Sequence, residues 1–319
     1  MRQRWRIIVN PVSGRGRGAG RARAVAAALP HDEFDVEIVE THSAGDARRL
    51  ASPVGADVVI AVGGDGTVNE VLNGLPEPFP ILGHIPSGTG NTLAKELRMD
   101  RSVAGLVRLF RSGRVRPWDL AIERTTGKRF LLFLTAGYDA HVVHRFHAQR
   151  RGTIYQWEYF LWGLKCVPDF PIPRIAVEID GRVLTEQASW IQISNVAQYG
   201  GPLVFTPRAR PDDGALEVMV YHARDRRDVP RMFLRAILGW ACGWEYRMRD
   251  LTFHRARRVR LWSADARAVP TQIDGDPGPS LPAEVELVPG GLRILTPPTD
   301  PNWGHADRTG PSFCAGSSG

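Results

Sequence analysis

Three glycine-rich segments carry the residue types that could do chemistry: 10–18 (NPVSGRGRG), 63–70 (GGDGTVNE) and 86–94 (PSGTGNTLA). Each closes a short apolar run and opens a helix-like pattern. Glycine lets backbone N–H groups approach phosphate oxygens, and a helix N-terminus behind the loop adds a favourable dipole. One such loop is weak evidence. Three from successive units, at the carboxyl ends of parallel strands where open α/β sheets take ligands, point to a polyphosphate site. Neither familiar nucleotide fingerprint is present. There is no G-x-x-x-x-G-K-[ST], and GRGRGAG lacks the G-x-G-x-x-G spacing.

Asp65 lies inside GGDGT, where its glycine neighbours give it no packing role. A carboxylate among phosphate-binding amides is costly unless a cation or a transferable proton accompanies it. Two tasks suit it: managing Mg2+, or orienting a hydroxyl nucleophile. The plainer alternative is a cap for the helix that follows, but Thr67 with Glu70 already spells a capping box there. His141, His144 and His147 recur at i, i+3 and i+6 without carboxylate or cysteine spacing, so a solvated or satisfied histidine face is expected.

The elements that must position these residues are legible in the hydrophobic pattern. Strand-like runs at 5–10, 34–40, 57–62 and 81–85 alternate with helix-like stretches at 20–29, 45–51, 67–75, 91–97 and 102–113. This alternation predicts βαβ units around a parallel sheet. From Val115 the texture changes to short alternating runs (WDLAIE, FLLFLTA, RIAVEID, WIQISN, ALEVMVY, EVELV). Asp180-Gly181 between two of them signals a hairpin, and the pattern reads as an antiparallel sheet or sandwich. Two aromatic-rich helical stretches, 153–167 and 229–246, suit either core packing or a membrane interface. The tail after Pro297 is polar and rich in Gly, Pro and Ser, and is expected to be disordered.

Composition sets the bounds. The 319 residues, 43% hydrophobic and 24% charged, suit one large or two ordinary globular domains. A net charge of +7 suits an anionic partner, but nothing resembles a nucleic-acid-binding motif, so no nucleic-acid partner is expected. Three scattered cysteines (Cys166, Cys242, Cys314) make neither a disulfide frame nor a zinc site. With no signal-peptide h-region and no apolar run long enough for a bilayer, a soluble cytoplasmic protein is expected.

NPVSG, GGDGTVNEVLNGL and IPSGTGNTLAKEL, in this order and spacing, resemble the catalytic domain of the diacylglycerol kinase family. That family includes soluble bacterial lipid kinases and the sphingosine and ceramide kinases. FLTAGYDAHVV (133–143), the stretches 151–165 and 200–218, and IDGD (273–276) resemble its later blocks, so the likeness spans about residues 5–297. NAD kinase and phosphofructokinase share a GGDG-type loop but lack the block that runs here from Pro207 to Leu216.

The resemblance implies an α/β fold: a doubly wound NAD-kinase-like domain (1–122, completed by 290–297), then an antiparallel β-sandwich lipid-substrate domain (123–289), with the active site in the cleft between them. It implies ATP-dependent phosphorylation of a lipid hydroxyl, such as diacylglycerol's, with Mg2+, by peripheral contact at the inner membrane face. A homodimer is compatible with it. Asn10, Pro11, Ser13, Gly14, Thr41, Gly64, Asp65, Gly66, Thr67, Glu70, Ser87, Gly88 and Thr89 would line the nucleotide site. Asp213 would hold a structural Mg2+ with the carbonyls of Arg210 and Ala215. Asp119 would help hold the catalytic Mg2+ through water. Soluble bacterial members usually end the IDG block in Glu, the proposed general base, where this chain has Asp276. The lost methylene draws the carboxylate back by ~1.5 Å, which leaves Asp274 or Asp65 as alternative bases. Thr92 stands where members often carry Asp, so one member of the metal–water network is missing and weakened or altered activity is expected. The competing readings are a kinase of a soluble alcohol, NAD-kinase-like, and a non-catalytic nucleotide or lipid sensor.

Overall fold

The computed structural model describes residues 2–52, 55–149, 156–200, 203–234 and 250–298. The chain forms two compact units, the first of Met1–Leu120, Lys128–Leu131 and Val288–Pro301, the second of the remainder.

In the first unit, β1 (Gln3–Val9), β2 (Phe34–Glu40), β3 (Val58–Gly63) and β4 (Ile81–Pro86) form a parallel sheet in the order β2-β1-β3-β4. Ile7, Ile8, Val9, Val59, Ile60 and Val62 are fully or almost fully buried, as strands covered on both faces require. Each such side chain contributes roughly 1.5–3 kcal/mol of burial free energy. The edge strand β2 alternates charged and apolar residues, which blunts it against pairing with another chain. The connecting helices are α1 (Arg17–Ala27), α2 (Asp46–Ala51), α3 (Asp65–Gly74), α4 (Thr92–Glu96) and α5 (Val103–Ser112).

One local expectation is corrected. The N-cap of α3 is Gly64, with no side-chain cap, and the helix opens two residues before Thr67. Thr67 therefore sits inside the first turn, where its hydroxyl accepts from Asn10 Nδ2 at 3.2 Å. Glu70 is turned to the Gly45 amide (3.1 Å), so the capping box does not form.

The second unit takes up the chain within β5 (Arg114–Glu123). The run FLLFLTA is divided between β6 (Lys128–Phe130), which belongs to the first unit, and β7 (Phe133–Ala136) of the second, with the Leu132 and Phe133 amides donating to the Asp274 carboxylate. There follow α6 (Tyr138–Gln149), α7 (Gln156–Cys166), β8 (Ile175–Ile179), β9 (Arg182–Ala188), β10 (Trp190–Ser194), β11 (Gln198–Gly200), β12 (Leu203–Val204) and β13 (Leu216–Tyr221). The last strands are β14 (Leu251–Ala256), β15 (Arg258–Ser263), β16 (Pro270–Ile273), β17 (Asp276–Ser280) and β18 (Ala283–Thr296). One antiparallel sheet runs β14-β13-β10-β7-β16-β17; a second joins the opening residues of β18 to β15, β8 and β9. Asp180 and Gly181 both have positive φ, the geometry of the expected tight hairpin.

Strand β18 is one continuous strand where the pattern suggested two. Its first residues pair with β15, and Ile294 pairs in parallel with Leu82 of β4. Of the first aromatic stretch, Cys166 is buried in a cluster with Tyr138, Phe170, Trp190 and Tyr221, and Trp162 packs against it. Leu161 and Leu164 on α7 are exposed. The second stretch begins with Val229 and Met232 buried in that same cluster, and its remainder from 235 lies outside the described residues, as do 151–155 and the tail from 299. No helix among the described residues is long and apolar enough to cross a membrane.

Candidate nucleotide site and candidate catalytic carboxylates

The three glycine-rich loops leave the carboxyl ends of β1, β3 and β4 and meet there. Ser13 and Ser87 hydroxyls lie 3.2 Å apart. A Cβ on Gly14 would stand 2.0 Å from the Ser87 carbonyl oxygen, and one on Gly88 would stand 2.4 Å from the Gly64 Cα. Gly14 also has φ +60, so it needs glycine for conformation as well as for space. Asn10 reaches Thr67, and its own Oδ1 accepts from the Val12 amide beside Pro11. Thr41, one residue past β2, is buried with its amide on the Val9 carbonyl. Gly66 faces open space and Thr89 is exposed. The structure thus brings the expected loop residues together, with Glu70 turned away to Gly45.

Asp65 makes the joint between two of these loops. Its Oδ2 accepts from the Thr92 amide (2.9 Å) and its Oδ1 from the Leu93 amide (3.1 Å). The carboxylate therefore caps α4, a helix 27 residues further on, and not α3. This also gives Thr92 a place: its amide, whatever its side chain, belongs to the cap. Nearby Lys95 is half-buried, and burial draws its pKa below the usual lysine value against the opposing pull of Asp65.

His84 was not anticipated. It is 2% exposed on β4, and burial pushes its pKa below the ordinary histidine value, so the ring is neutral. Its Nε2 donates to the Gly63 carbonyl (3.2 Å), which also accepts from the Ser87 and Gly88 amides. Three donors on one oxygen fix the peptide that opens the GGDG loop. No sequence signal separates this histidine from an ordinary core residue.

The remaining carboxylates differ in what they hold. Asp119 is buried, and its Oδ1 accepts from the Gly290 amide (2.7 Å), pinning a positive-φ turn within β18. Asp274, 7% exposed, takes the Leu132 and Phe133 amides on one oxygen, both at 3.0 Å. Asp274 and Gly275 both have positive φ and Ile273 pairs with Asp276, so IDGD is a two-residue hairpin turn between β16 and β17. Asp276, the first residue after it, is half-buried, and its carboxylate has no partner among the described residues.

The profile of the diacylglycerol kinase catalytic domain matches residues 4–122, and that of the YegS C-terminal NAD kinase beta sandwich-like domain matches residues 133–296. The chain belongs to the diacylglycerol kinase family. The family makes it a phosphotransferase with an alcohol group as acceptor. A diacylglycerol kinase of Bacillus subtilis (strain 168) is 26% identical over 301 residues, covering 92% of this chain and 97% of that one. A diacylglycerol kinase of Mycobacterium tuberculosis (strain ATCC 25618 / H37Rv) is 28% identical over 305 residues, covering 91% and 94%. The crystal structure of a diacylglycerol kinase from Bacillus anthracis str. Sterne shares the fold, with TM-score 0.70, 22% identity, and coverage of 94% and 98%.

In this diacylglycerol kinase family member, no group of three or more His, Cys, Asp or Glu among the described residues is placed to hold a metal ion. Asp65, Asp119 and Asp274 each spend carboxylate oxygens on backbone amides. Such a donor set fits an ion that arrives with nucleotide and takes its ligands mainly from phosphate and water. It does not fit a resident, protein-caged ion. At Asp213 the fit is poorer still. Oδ2 faces the Arg255 guanidinium at 2.9 Å, Oδ1 accepts from the Ala215 amide, and Arg257 Nε donates to the Gly214 carbonyl. Arg210 is directed to Asp212. The Arg255 guanidinium thus stands against the carboxylate that the resemblance would give to a structural Mg2+. Of the histidine face, His144 Nε2 is satisfied by the Thr271 carbonyl (2.8 Å).

Proposed function

We propose that the chain transfers the γ-phosphoryl group of ATP to the hydroxyl of a lipid of the diacylglycerol class, taken at the membrane face. The observation that carries this reading is the convergence of three glycine-rich loops at one sheet edge in a chain that matches the diacylglycerol kinase profile. Main-chain amides of 14, 64–66 and 89 would hold the phosphates, so that positioning and charge stabilisation do most of the work. Mg2+ entering with ATP would neutralise phosphate charge, with Asp65 and Asp119 as the carboxylates closest in sequence to the loops and to the family's metal-binding aspartate. Asp276 is the proposed general base. Asp274 already holds two amides on one oxygen, and Asp65 holds one on each, so neither is as well placed to take a hydroxyl proton.

The test is transfer of labelled γ-phosphate from ATP, with Mg2+, to diacylglycerol, monoacylglycerol, sphingoid bases, ceramide and a polyprenol in mixed micelles. Asp276→Ala serves as the control. A labelled lipid whose formation falls sharply in the control establishes the kinase and its substrate class. A silent panel with intact ATP binding refutes the lipid assignment and favours a soluble alcohol or a sensor.

A further inference from the structure

Asp139 is a buried carboxylate that the proposed chemistry does not use. It sits in the first turn of α6, 8% exposed, and burial pushes its pKa above the usual carboxylate value. Three donors meet it. Thr135 Oγ1 and Gln272 Nε2 reach Oδ2 at 2.7 and 2.9 Å, and the Tyr199 hydroxyl donates to Oδ1. Thr135 and Gln272 are themselves a cross-strand pair on β7 and β16, both buried, so their side chains rise from one face of the sheet toward the same carboxylate.

The far end of Gln272 matters. Its Oε1 accepts from the Gly275 amide at 2.7 Å. Gly275 is the second central residue of the hairpin turn that delivers Asp276, and within a two-residue turn that amide has no partner of its own. The Asp139 oxygens act as acceptors to all three of these donors. Asp139 therefore forces the Gln272 amide to point its NH2 group inward and its oxygen at Gly275. Asp274 holds the other side of the same turn through the Leu132 and Phe133 amides.

The geometry points to Asp139 as a positioning residue for phosphoryl transfer, acting through Gln272 to fix the Asp274–Gly275 turn and hence the Asp276 carboxylate. This rests on the proposed role of Asp276. The discriminating experiment pairs amide exchange with kinetics in Asp139→Asn and Gln272→Met. Asparagine offers both a donor and an acceptor, so it no longer dictates the Gln272 orientation; methionine keeps the length and loses both bonds. In either variant, Gly275 N–H exchange should accelerate by about tenfold or more. Lipid-kinase kcat should fall by about tenfold, with KM for ATP within about twofold of the parent protein. Added to Asp276→Ala, either change should lower the residual turnover by less than about twofold. Unchanged Gly275 exchange in Gln272→Met, or an undiminished additive loss in the Asp276→Ala background, overturns the inference. If Asp139→Asn fails to fold, Gln272→Met alone decides. If the parent protein phosphorylates no lipid, the functional reading fails separately, and Gly275 exchange still judges the network.

Discussion

Asp65 stands out in the sequence for one reason and serves the fold for another. Its setting among glycines marks it as special in the sequence, but the amides it serves belong to a loop 27 residues away, which no local pattern reveals. Asp65→Asn leaves one accepting oxygen where two are needed. Phosphoryl transfer should fall by at least about a hundredfold, and the melting temperature should drop by a few degrees, as loss of a charged cap predicts; unchanged turnover with a lowered melting point would leave Asp65 a cap alone. Glu217 supplies a second test. It is 5% exposed, and burial pushes its pKa up to about 7, against the Arg208 amide and the charges of Arg208 and Arg255. The folded state therefore binds a proton more tightly than the unfolded chain between the ordinary value of 4.5 and about 7. Stability from this group is fully present below that window and is lost as pH rises through it. Glu217→Gln should flatten this slope and add ~1–3 kcal/mol above neutral pH, read from urea unfolding at a series of pH values.

At the scale of elements, most of the first unit was legible. Contiguous apolar runs predict strands buried on both faces, and β1 to β4 fall within two residues of their expected bounds. The exceptions have physical causes. The start of α3 differs because Thr67-x-x-Glu70 imitates a capping box, whereas Gly64 is the N-cap and the Thr67 and Glu70 side chains go to Asn10 and Gly45. The Asp274-Gly275 hairpin carried the same signal as Asp180-Gly181, and went unread because its aspartates suggested chemistry first. The network of Asp139, Thr135, Gln272 and Tyr199 was not legible at all, since its members lie on four elements and only the sheet register assembles them. The loops offer the cleanest test at this scale. Gly14→Ala places a methyl group against the Ser87 carbonyl in a conformation alanine disfavours. KM for ATP should rise by about tenfold or more while the second unit's melting is unaltered; an unchanged KM would remove this loop from the nucleotide site.

At the scale of the whole molecule, the guanidinium groups of Arg255 and Arg257 on the Asp213 loop bear on how the protein responds to metal. With the loop's charge already met, the melting temperature should be the same in EDTA as in excess Mg2+, measured without nucleotide. A rise of several degrees with Mg2+ would show an ion displacing Arg255. The long strand β18 has a different consequence. Its end pairs with β4 in the first unit, although it is made after the Leu132–Leu287 segment of the second. On the ribosome, the sheet of the first unit is begun before the second unit is made and is completed only after residues 132–287 have been added. Until Ile294 arrives, β4 waits as an open, apolar sheet edge in need of protection.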